Sequence, residues 1–157
     1  MPTVYLGVTD VPYSFTDDVG KVKKGKNKGK KYASTTGDVA EILETKYGVM
    51  AAFWSRHGEE AVASLSASLQ DEFEAALQGK DFSSGSAFTG GAAEVEDMFQ
   101  KFLDLKEMDT MGVAGVPTAA SLAGVSHRFK KPYAKRASRP SFIDTGLYEN
   151  SFRCWVD

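Results

Sequence analysis

Apolar residues alternate with polar or small residues at both ends of the chain, and this period of two is typical of a β-strand with one buried face. Near the N-terminus one face carries Val4, Leu6 and Val8, with Tyr5 and Gly7 on the other. Near the C-terminus one face carries Phe152, Cys154 and Val156, with Ser151, Arg153 and Trp155 on the other. The pattern predicts two strands that are natural partners.

The middle of the chain has the apolar spacing of amphipathic helices. Candidate N-cap residues in 34–38 begin a short helix that Gly48 ends, with an apolar face of Val39, Ile42, Leu43 and Tyr47. Residues 50–57 form a separate segment, and the longest helix begins at Gly58 or Glu59 and ends at Gly79. Its stripe is predicted to lie in the core and contains Val62, Leu65, Leu69, Phe73, Ala76 and Leu77. A third helix at 92–105 is predicted to bury Val95, Met98, Phe99, Phe102 and Leu103.

The C-terminal stretch, residues 139–156, is rich in large apolar side chains: Phe142, Leu147, Tyr148, Phe152, Trp155 and Val156. Exposing so many of them to water is unfavourable, so we expect this stretch to be buried in the chain's own core or against a neighbouring subunit. On this interpretation Phe152→Ala and Trp155→Ala disturb solubility or assembly.

Asp144-Thr145-Gly146 interrupts this stretch and predicts a turn or a helix cap. The phrase Phe-Ile-Asp-Thr-Gly also has the form of an aspartic-protease active-site loop, where two carboxylates share one proton. Only thirteen residues follow Asp144, too few for a flap and supporting strands. The turn is therefore the preferred interpretation, and no enzymatic activity is expected.

The composition is that of one globular domain of 157 residues, with 42% hydrophobic and 25% charged residues. A lone cysteine forms no internal disulfide and fits a reducing compartment, and with His57 and His127 it is too little for a metal site. We expect no cofactor. No apolar run reaches membrane-spanning length and the N-terminus lacks signal-peptide order, so a protein made and kept in a cytoplasm is expected.

Charge is segregated along the chain although the net charge is only −2. Residues 1–37 hold seven Lys against three Asp, residues 38–107 hold five basic against fourteen acidic side chains, and residues 108–157 hold seven basic against four acidic ones. Within the single domain we distinguish a flexible basic loop at 21–31, an acidic helical part at 38–107, and a basic extended segment with the C-terminal strand at 125–157. Such blocks suit contact between complementary faces or with a polyanion.

Residues 20–31 are almost entirely Lys and Gly, which predicts an exposed loop. Residues 20–26 fit the G-x-x-x-x-G-K pattern, but Asn27 follows and no strand precedes it, so we interpret the match as chance. The loop is either simply solvated or contacts nucleic-acid phosphates or an acidic partner. The candidate contact residues are Lys21, Lys23, Lys24, Lys26, Lys28, Lys30 and Lys31.

A second basic segment follows the small, turn-rich residues 112–124, in which at most two helical turns are expected after Pro117. Residues 125–129 are a candidate strand. The segment contains Arg128, Lys130, Lys131, Lys135, Arg136 and Arg139, with Phe129 and Tyr133 interleaved. It suits either phosphate binding or an extended arm that lies on a neighbour's acidic helices.

The order of these parts resembles the neck and tail-completion (head-tail connector, collar) proteins of long-tailed bacteriophages. The resemblance rests on Thr-Thr-Gly-Asp-Val-Ala-Glu-Ile-Leu-Glu at 35–44 and on the ending at 139–156, especially Arg139-Pro140 and Asp144-Thr145-Gly146-Leu147. In the better-known tail-completion proteins the Thr-Gly phrase lies mid-chain and a proline-rich segment ends the protein. That difference leaves the layer of the neck open.

The resemblance implies a structural virion protein that forms a ring between the portal or adaptor and the tail, around the DNA channel. It also implies an α+β fold, a small antiparallel sheet of the N- and C-terminal strands packed against two or three helices, with the long Lys-rich loop. The expected location is the head-tail junction of the virion, after assembly in the host cytoplasm. The expected partners are further copies of the chain, the portal or adaptor, tail tube or tail terminator proteins, and possible contact with genomic DNA, without a membrane.

A ring requires a contact in which one patch meets a different patch on the next copy, and acidic helices against the segment 128–139 supply one. The candidate interface residues are Arg128, Lys130, Lys131, Arg136, Arg139, Tyr148, Phe152 and Trp155. The alternative is a small nucleic-acid-binding protein that uses its Lys-rich loop, which predicts salt-sensitive DNA binding by the monomer.

Overall fold

The structure is a computed structural model that describes residues 3–13, 35–83, 85–125, 136–143 and 146–157. In this part of the chain the elements are strand β1 (Val4–Val8), helices α1 (Thr36–Tyr47), α2 (Val49–Leu77) and α3 (Thr89–Asp104), a 3-10 turn (Glu107–Thr110), helices α4 (Ala119–Leu122) and α5 (Leu147–Ser151), and strand β2 (Phe152–Val156). The predicted α+β fold is confirmed. The Lys-rich loop lies outside the described residues.

The two terminal strands form an antiparallel sheet, as the alternation at the chain ends predicts. Val4 lies opposite Val156, and Val8 lies opposite Phe152. Phe152 and Cys154 are buried on the face of β2 that meets α3. The predicted core-facing side of the C-terminal strand is therefore confirmed.

Helix α1 begins and ends at the predicted caps. The Thr35 hydroxyl accepts the N–H of Asp38, and the Asp38 carboxylate accepts the N–H of Thr35, both at 3.2 Å, which is a reciprocal capping box. At the other end Gly48 takes φ +60°, the left-handed conformation that glycine adopts without strain. Ile42 was predicted on the buried face and is instead 51% exposed, because the helix buries the side that carries Ala40.

Helix α2 runs without interruption through Gly58, so the predicted start of a helix at that residue is wrong. Glycine inside a helix costs about 1 kcal/mol relative to alanine. Core burial of Phe53 before it and Ala61 after it opposes this cost. The Trp54 indole covers the glycine, and an added Cβ would lie 3.2 Å from its Cε2 atom.

Helices α2 and α3 pack closely at Gly91 of α3. A Cβ added to this glycine would lie 2.5 Å from the Ser64 carbonyl oxygen and 2.7 Å from the Leu65 Cα. A hydrogen atom at this position is what permits the two backbones to approach so far. The α3 helix begins at Thr89, slightly earlier than predicted.

Four phenylalanines form the centre of the core and join α2, α3 and β2. Phe152 stacks on Phe99, with ring centroids 3.9 Å apart and an interplanar angle of 11°. Phe53 meets Phe99, Phe102 and Phe152 edge to face at 5.3–6.0 Å. The predicted burial of α3 side chains is confirmed at Val95, Phe99, Phe102 and Leu103, whereas Met98 is only partly buried.

Segments beyond α3 are held together by a buried hydroxyl network. Ser141 Oγ donates to Asp109 Oδ1 at 3.1 Å and lies 3.1 Å from Ser121 Oγ. The Ser121 hydroxyl also donates to the Thr118 carbonyl at 2.8 Å. The single turn α4 agrees with the expectation after Pro117, whereas residues 126–129 of the candidate strand lie outside the described residues.

Gly146 is the N-cap of α5 and takes φ +75°. This agrees with the prediction of a turn or helix cap at the Asp-Thr-Gly phrase, although Asp144 and Thr145 lie outside the described residues. The short helix leads directly into β2 and sets Tyr148 into the core.

Candidate interaction surfaces

The outer edge of β1 is open within the described ranges. Thr3 and Asp157 form a hydrogen-bonded backbone pair: the Thr3 N–H donates to the Asp157 carbonyl at 2.7 Å, and the Asp157 N–H donates to the Thr3 carbonyl at 3.0 Å. Antiparallel ladders alternate between bonded and non-bonded pairs, so the backbone groups of Val4, Leu6 and Val8 point away from β2. No backbone group in the described part of the chain bonds to them. An open edge of this kind is a template for an additional strand.

The opposite edge of the sheet is covered by α3. The backbone N–H of Cys154 donates to Glu96 Oε1 at 3.2 Å, and the Arg153 guanidinium lies 3.4 Å from Glu96 Oε2. The carboxylate thus occupies the position that a further strand would take beside β2. The two edges of the sheet are therefore not equivalent.

Trp155 lies on the outer face of the sheet, where it is 47% exposed. Its ring stacks on Tyr5, with centroids 5.7 Å apart and an interplanar angle of 10°. The indole also lies over Gly7, where an added Cβ would be 2.9 Å from Cη2. Of the aromatic residues predicted at a subunit interface, Trp155 has the surface position that such a contact requires.

Tyr148 and Phe152, predicted at the same interface, lie in the chain's own core at 3% and 1% exposure. They therefore lack the surface position of contact residues. Of the two alternatives for the C-terminal stretch, burial in the chain's own core applies to them and burial against a neighbouring subunit does not. Burial, followed by the nearby Glu44 and Tyr13, raises the pKa of the Tyr148 hydroxyl far above its usual range. This phenol consequently stays neutral at physiological pH.

Arg139 bonds to three backbone carbonyls of its own chain, one in α4 and two in loops. Its Nη2 donates to the Val125 carbonyl at 3.0 Å, its Nη1 donates to the Ile143 carbonyl, and its backbone N–H donates to the Ser121 carbonyl at 3.0 Å. This guanidinium therefore has a role inside the fold that the interface prediction does not include. Arg136 is exposed. The other predicted basic contact residues lie outside the described residues: Lys21, Lys23, Lys24, Lys26, Lys28, Lys30, Lys31, Arg128, Lys130 and Lys131.

His57 lies between carboxylates on the α2 side of the core. Its Nε2 is 2.9 Å from Glu107 Oε2, and its Nδ1 is 3.4 Å from Glu60 Oε2. Arg56 Nε also reaches Glu107, at 2.5 Å. These contacts attach the 3-10 turn to α2. Among the contacts of the described residues, His57 has no hydrogen bond to a serine hydroxyl or a cysteine thiol. The described residues also contain no group of three side chains that could hold a metal ion.

The Cys154 thiol is not activated as a nucleophile. Burial, followed by the neighbouring Glu96 carboxylate, raises the pKa of the thiol to about 11. A thiolate is the reactive form of cysteine, and little of it is present at neutral pH with such a pKa. Cys154 is therefore a small buried strand residue, as the sequence predicts.

The raised pKa of Cys154 predicts a pH dependence of stability. The unfolded thiol ionises near its ordinary pKa of about 8.5, whereas the native state keeps its proton to about pH 11. The stability that the protonated thiol contributes is therefore fully present below about pH 8 and is lost as the pH rises from about 8.5 to about 11. Between about pH 8 and pH 10.5 the urea midpoint should fall further for the wild type than for Cys154→Ala. Equal falls in the two proteins would contradict the assignment.

Apolar side chains line the outer face of α2, and we call Val62, Leu69, Phe73 and Leu77 the α2 stripe; Leu69 is half-buried and the other three are exposed. Their spacing of seven, four and four residues places them on one face of the helix. Leu65 and Ala61 are buried on another side, whereas Val62, Phe73 and Leu77 are 47%, 59% and 79% exposed. The prediction that the whole stripe of the long helix lies in the core is wrong for these three residues.

A cleft of about 690 Å³ continues the α2 stripe toward the N-terminus of the helix. It is lined by Trp54, Ser55, Arg56, Gly58, Glu59 and Val62. The cleft is wide open to solvent and brings an indole, a cation and a carboxylate together beside the stripe. It therefore extends the surface that is available for a partner.

Comparison of the chain with protein-family models, with curated proteins and with solved structures found no significant match. Within the described residues, none of the helices is both long enough and apolar enough to span a lipid bilayer. The uncovered features described above are the open edge of β1, the exposed Tyr5–Trp155 pair and the α2 stripe. The first two lie on the terminal sheet and the third lies on α2, and the three differ in chemistry.

Proposed function

We propose that this chain is a structural virion protein of a tailed bacteriophage that assembles into a ring at the head-tail junction, where it joins the portal or adaptor to the tail. The observation that carries the proposal is the exposed α2 stripe, because an apolar face of this length on a soluble chain indicates a partner. The resemblance of residues 35–44 and 139–156 to neck proteins suggests which assembly it serves. No cofactor is part of the proposal.

The uncovered surfaces support a head-to-tail contact. A ring forms when a patch on one copy meets a different patch on the next, repeated until the rotation closes. The α2 stripe lies in an acidic part of the chain, whereas the segment 125–139 is basic. Two unlike and complementary patches on one chain are what such an interface needs.

The alternative function is nucleic-acid binding by the monomer, which the seven lysines of residues 20–31 favour. A protein that neutralises several phosphates loses affinity steeply with salt. DNA binding by a monomer that weakens steeply with salt, and that is lost when Lys21, Lys23 and Lys24 are replaced by glutamine, would favour this alternative. Sequence-independent binding by assembled rings alone would favour the virion protein.

Deletion of the gene in a phage that encodes this chain tests the proposed function. We expect infected cells to make DNA-filled heads and complete tails that do not join, as counted by negative-stain electron microscopy. Adding the purified protein to a lysate of these cells, which contains the separate heads and tails, should restore joined particles. Normal particles, or a block before DNA packaging, would refute a role at the head-tail junction.

A further inference from the structure

The C-terminal end of the α2 stripe is uncovered because α2 extends beyond its contact with α3. Ser68 Oγ donates to the Ala87 carbonyl at 3.0 Å, close to where the two helices separate. Beyond this contact α2 continues to Leu77 and buries no further residue. Residues 69–77 are nine residues of helix and extend about 13 Å, so the C-terminal end of α2 projects beyond the core.

Phe82 enlarges the apolar surface at this end. It lies in the loop after α2, is 48% exposed, and meets Phe73 edge to face with centroids 6.2 Å apart. Glu72 holds the loop in place, because its Oε1 accepts the Ser83 N–H at 3.3 Å. The same oxygen accepts from Ser86 Oγ at 3.2 Å, so two hydrogen bonds connect this loop to α2.

The charge around this surface is negative. Residues 69–82 contain one lysine and four acidic side chains, which are Asp71, Glu72, Glu74 and Asp81. If the stripes of two copies packed against each other, these carboxylates would face like charges, which is unfavourable. The occupant of the stripe is accordingly a segment that is both apolar and basic.

Residues 128–135 of the same sequence have this chemistry. Their four cationic side chains are Arg128, Lys130, Lys131 and Lys135, and two aromatic residues, Phe129 and Tyr133, lie between them. They include no acidic side chain. Aromatic and cationic side chains together match a surface of exposed phenylalanine and leucine with a carboxylate rim.

We propose that residues 128–135 of a neighbouring copy bind the α2 stripe and the acidic residues beside it. Phe129 and Tyr133 contact Phe73 and Leu77, and the cations meet the carboxylates of residues 69–82. The inference rests on the proposed ring and names the contact between its subunits. Each copy carries both the stripe and residues 128–135, so the contact propagates from copy to copy.

Two variants, each defective on one side of this contact, provide the test. The stripe variant carries Phe73→Gln and Leu77→Gln, which remove apolar surface but keep good helix formers. The segment variant carries Lys130→Glu and Lys131→Glu. A matched control carries Lys46→Glu and Lys101→Glu, which reverse two exposed lysines elsewhere on the fold. Circular dichroism confirms that each protein is folded.

Light scattering after size exclusion gives the mass of each protein alone and of mixtures. We expect the wild type and the control to form oligomers and each defective variant to remain a monomer of 17.0 kDa. An equimolar mixture of the two variants retains one intact stripe and one intact segment, so it should form a dimer of twice that mass. High salt should dissociate this dimer, because its charges are screened.

Each other outcome overturns the contact. Monomers in the mixture, with oligomers of the wild type, would mean that the subunits meet elsewhere or that residues 128–135 cover the stripe of their own chain. A wild-type monomer together with a monomeric mixture would remove the contact altogether. Neither result decides the head-tail function, which the gene deletion tests separately.

Discussion

Phe152→Ala is expected to lower the free energy of unfolding by about 3–5 kcal/mol, the range for deleting a buried phenylalanine side chain. The side chain is 1% exposed and stacks on Phe99 at 3.9 Å between centroids. Its loss leaves a cavity between β2 and α3 that the surrounding helices fill only in part. Urea denaturation followed by circular dichroism measures the change, and the thermal midpoint should fall by roughly 10 °C.

Trp155→Ala is the matched control, because Trp155 lies only three residues away on the opposite face of the same strand. It loses the stacking on Tyr5, for which about 1 kcal/mol is expected. The folded variant then tests the outer face of the sheet as a contact surface. Equal destabilisation by the two substitutions would contradict the assignment of Phe152 to the core and Trp155 to the surface.

Gly91→Ala is expected to lower the free energy of unfolding by about 2–3 kcal/mol, the upper part of the usual cost of overpacking. The new methyl group would lie 2.5 Å from the Ser64 carbonyl oxygen and 2.7 Å from the Leu65 Cα. Both neighbours are backbone atoms of α2, so they move only if the two helices separate. The aromatic core between these helices would then lose contact as well.

Gly90→Ala is the control for this substitution, since it is the preceding residue of the same helix. An added Cβ there lies 3.3 Å from Ser68 Oγ, and a hydroxyl can rotate away. Neither glycine has a positive φ, so the comparison isolates packing from backbone strain. We expect Gly90→Ala to leave stability unchanged or to raise it by up to about 1 kcal/mol. Similar losses at both positions would contradict a close contact specific to Gly91.

The candidate surfaces were predictable only in part. Trp155 was predicted at an interface as one of the large apolar residues of the C-terminal stretch, and it is 47% exposed. The α2 stripe was recognised as a set of residues on one face but was assigned to the core. Periodicity shows which side chains share a face, but it contains no information about which face the rest of the chain covers. Tyr148 and Phe152 were assigned to an interface because the apolar stretch 139–156 suits burial in its own core or against a neighbour, and the sequence does not distinguish the two.

The open edge of β1 was not predicted at all. The position of each sheet edge depends on contacts between distant residues: β1 pairs with β2 on one side only, and Glu96 of α3 occupies the outer edge of β2. The charge segregation of the chain did identify complementary blocks. The structure adds that the C-terminal end of α2 is the part of the acidic block that carries an exposed apolar surface.

By itself the sequence determined the two strands, their core-facing sides and both caps of α1, because alternation and capping depend on residues within a few positions of each other. The tertiary structure decided that α2 continues through Gly58, that α2 and α3 pack closely at Gly91, and that one face of α2 stays uncovered. These features depend on contacts between residues distant in sequence. At Gly58, for example, the burial of Phe53 and Ala61 outweighs the cost of about 1 kcal/mol for a glycine inside a helix.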